Sequence, residues 1–372
     1  MSMTGADTPR SRFLAYVRGE PGACPVVSPF LPKPEVVRAT LQYLGLPVTN
    51  DMVADEIALA RALDYEPMFM TDCHGLIFPW REDPSQSDGE TAVYTLALPD
   101  GSLWIRRISR HLGEWGDESG FPVKDEADHE KLVAVCAAIE GRVPEIRRYF
   151  RQWRERVGEE GVIVIGHPHV TWLAYQIGPQ NLIYHPHDYP EAFARSMEAI
   201  YQAALVVFRV ALEEGIDFMS ESGYGLEMTS LAGFDSQDLP YLQRLSAWTH
   251  RHGGLFWYHN CGMSRRLILS GRFNAFKPDV VETIAPPPEG DNDLAESRRG
   301  LDAAICSKGN LSLGLLRDGS AAEVVAATRE MVRAVAGWRH IYSTADAVLP
   351  GTPPENLIAL VRTARQEAEE TS

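Results

Sequence analysis

The chain has 372 residues, 45% of them apolar and 23% charged, with a formal net charge of -16. Such an acidic balance repels a phosphate backbone and excludes nucleic acid as an expected partner, while the apolar content suffices for a core without staples. No window approaches the roughly 18 uninterrupted apolar residues of a membrane span, and the start MSMTGADTPRSRF lacks the apolar stretch of a signal peptide. Five scattered cysteines therefore read as reduced thiols of a cytoplasmic protein.

Eight short apolar runs follow in chain order: 24–30 (CPVVSPF), 67–73 (PMFMTDC), 161–167 (GVIVIGH), 216–221 (IDFMSE), 254–261 (GLFWYHNC), 280–285 (VVETIA), 309–316 (GNLSLGLL) and 340–344 (HIYST). Each is short and continuously apolar, as expected of parallel strands covered on both sides. Helix-period segments lie between them. Residues 191–214 carry Phe193, Met197, Ile200, Leu205, Phe208 and Leu212 on one face, after Pro190 and before Gly215. Ser320 with Glu323, and Thr352 with Glu355 behind Pro353, read as capping boxes. This alternation predicts an α/β fold, a closed (β/α)8 TIM barrel formed by residues 1–372 as one domain. An open doubly wound sheet is the alternative, but no GxGxxG follows the first run. Residues 91–109 alternate apolar and polar about Pro99-Asp100-Gly101, which predicts a β-hairpin inserted after strand two. Trp80, Trp104 and Trp115 are expected to pack the hairpin itself, with cover for one mouth of the barrel as the alternative.

In such a barrel the chemistry sits at the carboxyl ends of the strands, and polar side chains collect there. The second run ends at Asp72, Cys73 and His74, the third at His167 and His169, and the fourth at Glu221. The fifth ends at His259 and Cys261, the seventh carries Asn310 and Ser312, and the eighth leads to Asp346. His259 and Cys261 stand two apart, so on a strand they point the same way and converge on one ion. Zinc accepts nitrogen and sulfur in tetrahedral geometry; a buried pair at a strand end is the alternative. His167-Pro168-His169 has the same spacing, but Pro168 places it where the chain leaves the sheet, as loop histidines lining a pocket. His185-Pro186-His187 reads as a surface or helix-entry segment. Asp72 is a candidate general acid or base, since partial desolvation raises a carboxyl pKa; a hydrogen-bonded structural carboxylate is the alternative. Cys24, Cys73 and Cys136 read as core.

Four further pieces carry a resemblance: His259-x-Cys261-Gly262, Asp293-Leu294 leading through a helix to Gly309-Asn310, Gly319-Ser320-x-x-Glu323-Val324, and Thr352-Pro353-x-Glu355-Asn356. Together they resemble the uroporphyrinogen decarboxylase superfamily over essentially the whole chain. Porphyrin-decarboxylating members carry an arginine-rich segment where this chain has Pro25-Val26-Val27-Ser28-Pro29-Phe30-Leu31-Pro32, and a Gly-His-Gly turn where it has Thr344-Ala345-Asp346-Ala347. Without an arginine cradle a polycarboxylate is poorly bound. The chain is thus more similar to the methylcobamide:thiol methyltransferase branch. That resemblance implies a cytoplasmic homodimer with zinc on His259 and Cys261. The metal activates a thiol or other small substrate, and the methyl group travels on a corrinoid (cobalamin) held by a partner protein. The second cysteine of that branch falls near Gly314 and is missing here, and Cys306 precedes the strand. Glu221 is expected to supply an oxygen ligand instead and joins the catalytic set. His167, His169, Tyr224, Asn310 and Ser312 are expected to orient substrate. The alternative is a metal-free lyase acting on a carboxylated small molecule through Asp72 and Asp346. A non-catalytic binding barrel is the third reading.

Overall fold

The computed structural model describes residues 7–71, 74–112, 118–166 and 170–371. Its described strands are β1 (Met68–Thr71), β2 (Arg81–Glu82), β3 (Thr91–Ala97), β4 (Leu103–Ser109), β5 (Val162–Ile165), β6 (Phe218–Tyr224), β7 (Leu255–Cys261), β8 (Val280–Glu282), β9 (Cys306–Leu311) and β10 (His340–Thr344). Contacts divide the chain into two compact units, one of residues 1–71, 153–164 and 216–372, the other of residues 72–152 and 165–215.

The first unit is built on a curled, seven-stranded parallel sheet of TIM-barrel-like kind, ordered β1-β5-β6-β7-β8-β9-β10. Side chains alternate across a strand, and one face gathers Met68, Val162, Val164, Phe218, Trp257, Val280, Cys306 and Ile341 into one apolar cluster. The helix Pro9–Arg18 adds Phe13, Tyr16 and Val17 to that cluster. Phe13, Phe218 and Trp257 meet ring against ring, with Phe218 and Trp257 centroids 5.1 Å apart and nearly perpendicular. Burying these rings adds to what holds this face together.

The first apolar run behaves differently from the other seven. It forms no strand of its own, but Val27 makes a parallel bridge to Tyr342 of β10. The Val27 carbonyl also accepts from the Glu66 amide, just before β1. The Glu66 carboxylate, itself buried, accepts from Val27 N–H, Arg12 and Arg365. The prolines around this segment (Pro21, Pro25, Pro29, Pro32) lack backbone N–H donors and oppose a longer ladder.

Three other expectations need correction. The run 309–316 is not one strand: β9 already begins at Cys306, and Leu313–Asp318 is a helix whose Leu315 N–H is capped by the Ser312 hydroxyl. A Ser N-cap thus turned an apolar run from strand to helix. Cys306 accordingly lies inside the strand, fully buried. The second capping box does not form, because the final helix starts at Pro354 and the Thr352 hydroxyl finds no hydrogen-bond partner. The box at Ser320 and Glu323 does form.

In the second unit, β2, β3 and β4 make a small antiparallel sheet, and the hairpin spans residues 91–109 as expected. The turn works because Gly101 takes φ +85° while Asp100 accepts from the Ser102 N–H and hydroxyl. Trp80 and Trp104 pack together, ring centroids 5.4 Å apart; Trp115 lies outside the described residues. The long helix Pro190–Glu213 buries one face as its periodicity predicts. His185 is neither exposed nor at a helix entry. It sits within the helix Pro179–Asp188, buried, with its Nδ1 2.9 Å from Nε2 of His129. Among the described residues no helix is long and apolar enough to cross a membrane.

Candidate metal centre

The inner face of β7 reads Trp257, His259, Cys261, so the apolar cluster gives way to polar groups two residues further along. The same step occurs on two neighbouring strands, from Val280 to Glu282 and from Cys306 to Lys308. These polar groups meet. His259 Nδ1 lies 2.8 Å from Glu282 Oε1, and Lys308 Nζ donates to Glu282 Oε2 at 2.8 Å. All three residues are buried. A carboxylate so placed fixes the imidazole and leaves its other nitrogen, Nε2, to face outward. Burial pushes the Glu282 carboxyl up, but Lys308 and His259 outweigh it and hold the group well below the ordinary carboxylate range. Burial likewise pulls His259 down, while Cys261 and Glu282 outweigh it and hold the imidazole well above its usual value. Lys308 also rests over the rings of Phe30 and Trp257.

His259 Nε2 lies 3.1 Å from Cys261 Sγ. The Asp346 carboxylate, just beyond β10, joins them, and one ligand atom from each of the three lies within 4.8 Å of the others. Zinc bonds of about 2.0–2.3 Å put tetrahedral ligand atoms roughly 3.3–3.8 Å apart. One nitrogen, one sulfur and one oxygen donor, within 4.8 Å of one another and with Nδ1 already engaged by a carboxylate, are the donor types that such an ion takes.

Glu221 does not join this group. The β6–β7 register sets Ser222 beside His259 and Glu221 beside Tyr258, so Glu221 points from the opposite face of the sheet. It is fully buried there, one oxygen accepting from Ser222 N–H and the other without a hydrogen bond. Burial, with Asp238 adding to it, raises its pKa well above the usual carboxyl value. The carboxylate that lies beside His259 and Cys261 is that of Asp346, a residue expected in an acid–base role.

Tyr224 pairs in register with Cys261 and shares its face. Asn310 turns its amide to the Ile284 carbonyl, bracing the chain after β8. Ser312 caps its helix and donates to Glu289, whose carboxylate also accepts from Gly314 N–H. Burial holds the Cys306 thiol in the inner cluster up to about 12, far from ligand behaviour. Asp72, His167 and His169 lie outside the described residues. Glu282 and Lys308 went unread in sequence. Their signal was a charge standing inside each of two otherwise buried strands, which demands a partner.

A similarity in sequence accompanies this geometry. Residues 118–367 match the profile of the family described as uroporphyrinogen decarboxylase (URO-D). A uroporphyrinogen decarboxylase of Trichodesmium erythraeum (strain IMS101) is 26% identical over 66% of this chain and 69% of its own length. One from Trichormus variabilis is 24% identical over 72% of this chain and 79% of its own. In structure, a methyltransferase from Methanosarcina mazei superposes with a TM-score of 0.68 at 16% identity, covering 97% of this chain and 98% of the other. With two thirds of its length matched by that profile, the chain belongs to the uroporphyrinogen decarboxylase family of enzymes.

Proposed function

We propose that this enzyme is a methyltransferase that holds zinc on His259, Cys261 and Asp346 and activates a thiol or other small substrate, with the methyl group carried on the corrinoid of a partner protein. The convergence of those three side chains within 4.8 Å carries the reading; the structural likeness to a methyltransferase agrees with it. Bound there, zinc would supply a Lewis acid that keeps a coordinated thiol deprotonated near neutral pH. The residues do the rest. Glu282 orients His259 so that Nε2 faces the ligand position, and Lys308 holds Glu282. Tyr224, beside Cys261, orients the substrate. Residues 1–372 form one catalytic domain in this reading, a (β/α)8 barrel whose eighth stave is the Val27 segment, hydrogen-bonded between β10 and Glu66 just ahead of β1.

Elemental analysis of the purified protein beside Cys261→Ala and Asp346→Asn tests this. Near-stoichiometric zinc, lowered at least about tenfold in both variants, is the expected result. A metal-free lyase is the second reading, favoured by the names of the two decarboxylase relatives and by an Asp346 that is only half-buried. Zinc-free protein that releases carbon dioxide from a carboxylated substrate in an Asp346-dependent way would establish it.

A further inference from the structure

β6 and β7 end side by side, with Tyr224 next to Cys261, and each runs at once into a glycine turn. Gly225-Leu226-Glu227 follows the first strand and Gly262-Met263 follows the second. Past a strand end the ladder no longer pairs the backbone, so its N–H and C=O groups need other partners. Met263 finds both of its partners in the neighbouring turn. Its carbonyl accepts from Leu226 N–H at 2.9 Å. Its own N–H donates to the two carboxylate oxygens of Glu227, at 2.8 and 2.9 Å.

The two turns are shaped around that carboxylate. Gly262 takes φ +75°, a left-handed conformation that glycine adopts at little cost. A methyl group on Gly262 would overlap the Glu227 carboxylate, and one on Gly225 would overlap that carboxylate and the Met263 nitrogen. Cys261 stands between this clamp and a second set of bonds on its other side. There the Thr283 hydroxyl donates to the Asn260 carbonyl at 3.1 Å, and the Asn260 amide donates to the Cys261 carbonyl at 3.0 Å. A thiol at the very end of a strand holds its place only if the chain beyond it is held, and metal ligands tolerate displacements of no more than about 0.5 Å. Glu227 is exposed, so packing does not account for a carboxylate folded back onto this turn.

We infer that Glu227 is a positioning residue for the metal centre: by clamping Met263 it fixes the backbone that carries the Cys261 thiol toward His259 and Asp346. This rests on the zinc reading. Titration of the metal-free whole chain with cobalt(II) tests it, read by the visible bands of tetrahedral cobalt and the near-ultraviolet thiolate-to-metal band. Glu227→Ala should lower cobalt affinity at least about tenfold, as loss of a ligand-orienting partner does, and weaken the visible bands at saturation. Glu227→Gln keeps an oxygen that accepts from Met263 N–H, so its affinity should stay within about threefold of the parent's, the loss being that of a charge-assisted bond made neutral. The metal-free Glu227→Ala protein should unfold at the parent's urea midpoint, since the side chain is exposed. A parent that binds cobalt beside a Glu227→Ala variant with the same affinity and spectrum would overturn the inference and leave the zinc reading standing. So would a Glu227→Gln variant that loses as much as Glu227→Ala. A parent without the thiolate band would overturn both. If Glu227→Ala does not fold, Glu227→Asp decides, because the shorter side chain draws the carboxylate away from Met263 and should show the same tenfold loss.

Discussion

Each unit buries a histidine against hydrogen-bond partners, and the partners set opposite chemistries. His259 of the first unit leans on Glu282, itself held by Lys308, so its neighbours are ionic and the imidazole is held basic. His129 of the second unit lies between Ser196 Oγ at 2.8 Å and His185 at 2.9 Å, both uncharged partners. Burial, with His185 adding to it, lowers its pKa to about 4. His185 is lowered too, chiefly by burial. The first arrangement gives the nitrogen that the proposed zinc site would use; the second keeps two rings neutral inside a helix packing. Burial alone therefore says nothing about whether a histidine is functional, and the identity of its second neighbour decides.

The strongest way to break the ionic side of this comparison is Glu282→Gln. It leaves Lys308 buried without its carboxylate, and losing one member of a buried pair costs about 3–5 kcal/mol. Urea unfolding at constant slope should show that loss. Combining it with Lys308→Met should restore most of it, because a pair removed whole leaves no orphan charge. A loss below about 1 kcal/mol would mean that water already reaches Lys308. The same Glu282→Gln change should lower zinc affinity by roughly 10- to 100-fold, as removal of a histidine-orienting carboxylate does.

On the neutral side, His129→Leu should cost about 1–3 kcal/mol by stranding the Ser196 hydroxyl and a His185 nitrogen. Its pH dependence sharpens the contrast. The folded pKa of His129 lies below the unfolded value near 6.5, so its stabilising effect is complete above that value and is lost as pH falls toward about 4. Unfolding midpoints measured across that range should fall less steeply in the variant.

A pH effect of the opposite kind belongs to Asp238, whose carboxyl burial raises to about 7. The sign is opposite. Its stabilising contribution is present in full below the unfolded value near 4 and is lost as pH rises toward about 7. Asp238→Asn should remove a slope that partly cancels that of His129 in the parent protein, so its unfolding midpoint should drop more steeply on acidification. An unchanged profile would place Asp238 in contact with water.

Much of the fold was legible because it follows local rules. Seven of the eight apolar runs contain strands, β10 with the expected ends, and the Asp100-Gly101 turn and the Ser320–Glu323 box form as read. Boundaries failed where a cap overrode hydrophobicity, as Ser312 did in 309–316. Of the centre, His259 and Cys261 were readable, since period two puts both on one side of a strand.

What sequence alone determined, then, was periodicity, turn chemistry and the pairing of residues two apart on one strand. Tertiary structure decided which strands stand side by side, and in which register. That put Glu282 and Lys308 behind His259, brought Asp346 to Cys261, and turned Glu221 to the other face. It also joined His129 to His185, 56 positions away. Contacts so distant depend on burial of the whole sheet and helix packing, and no local propensity carries that information.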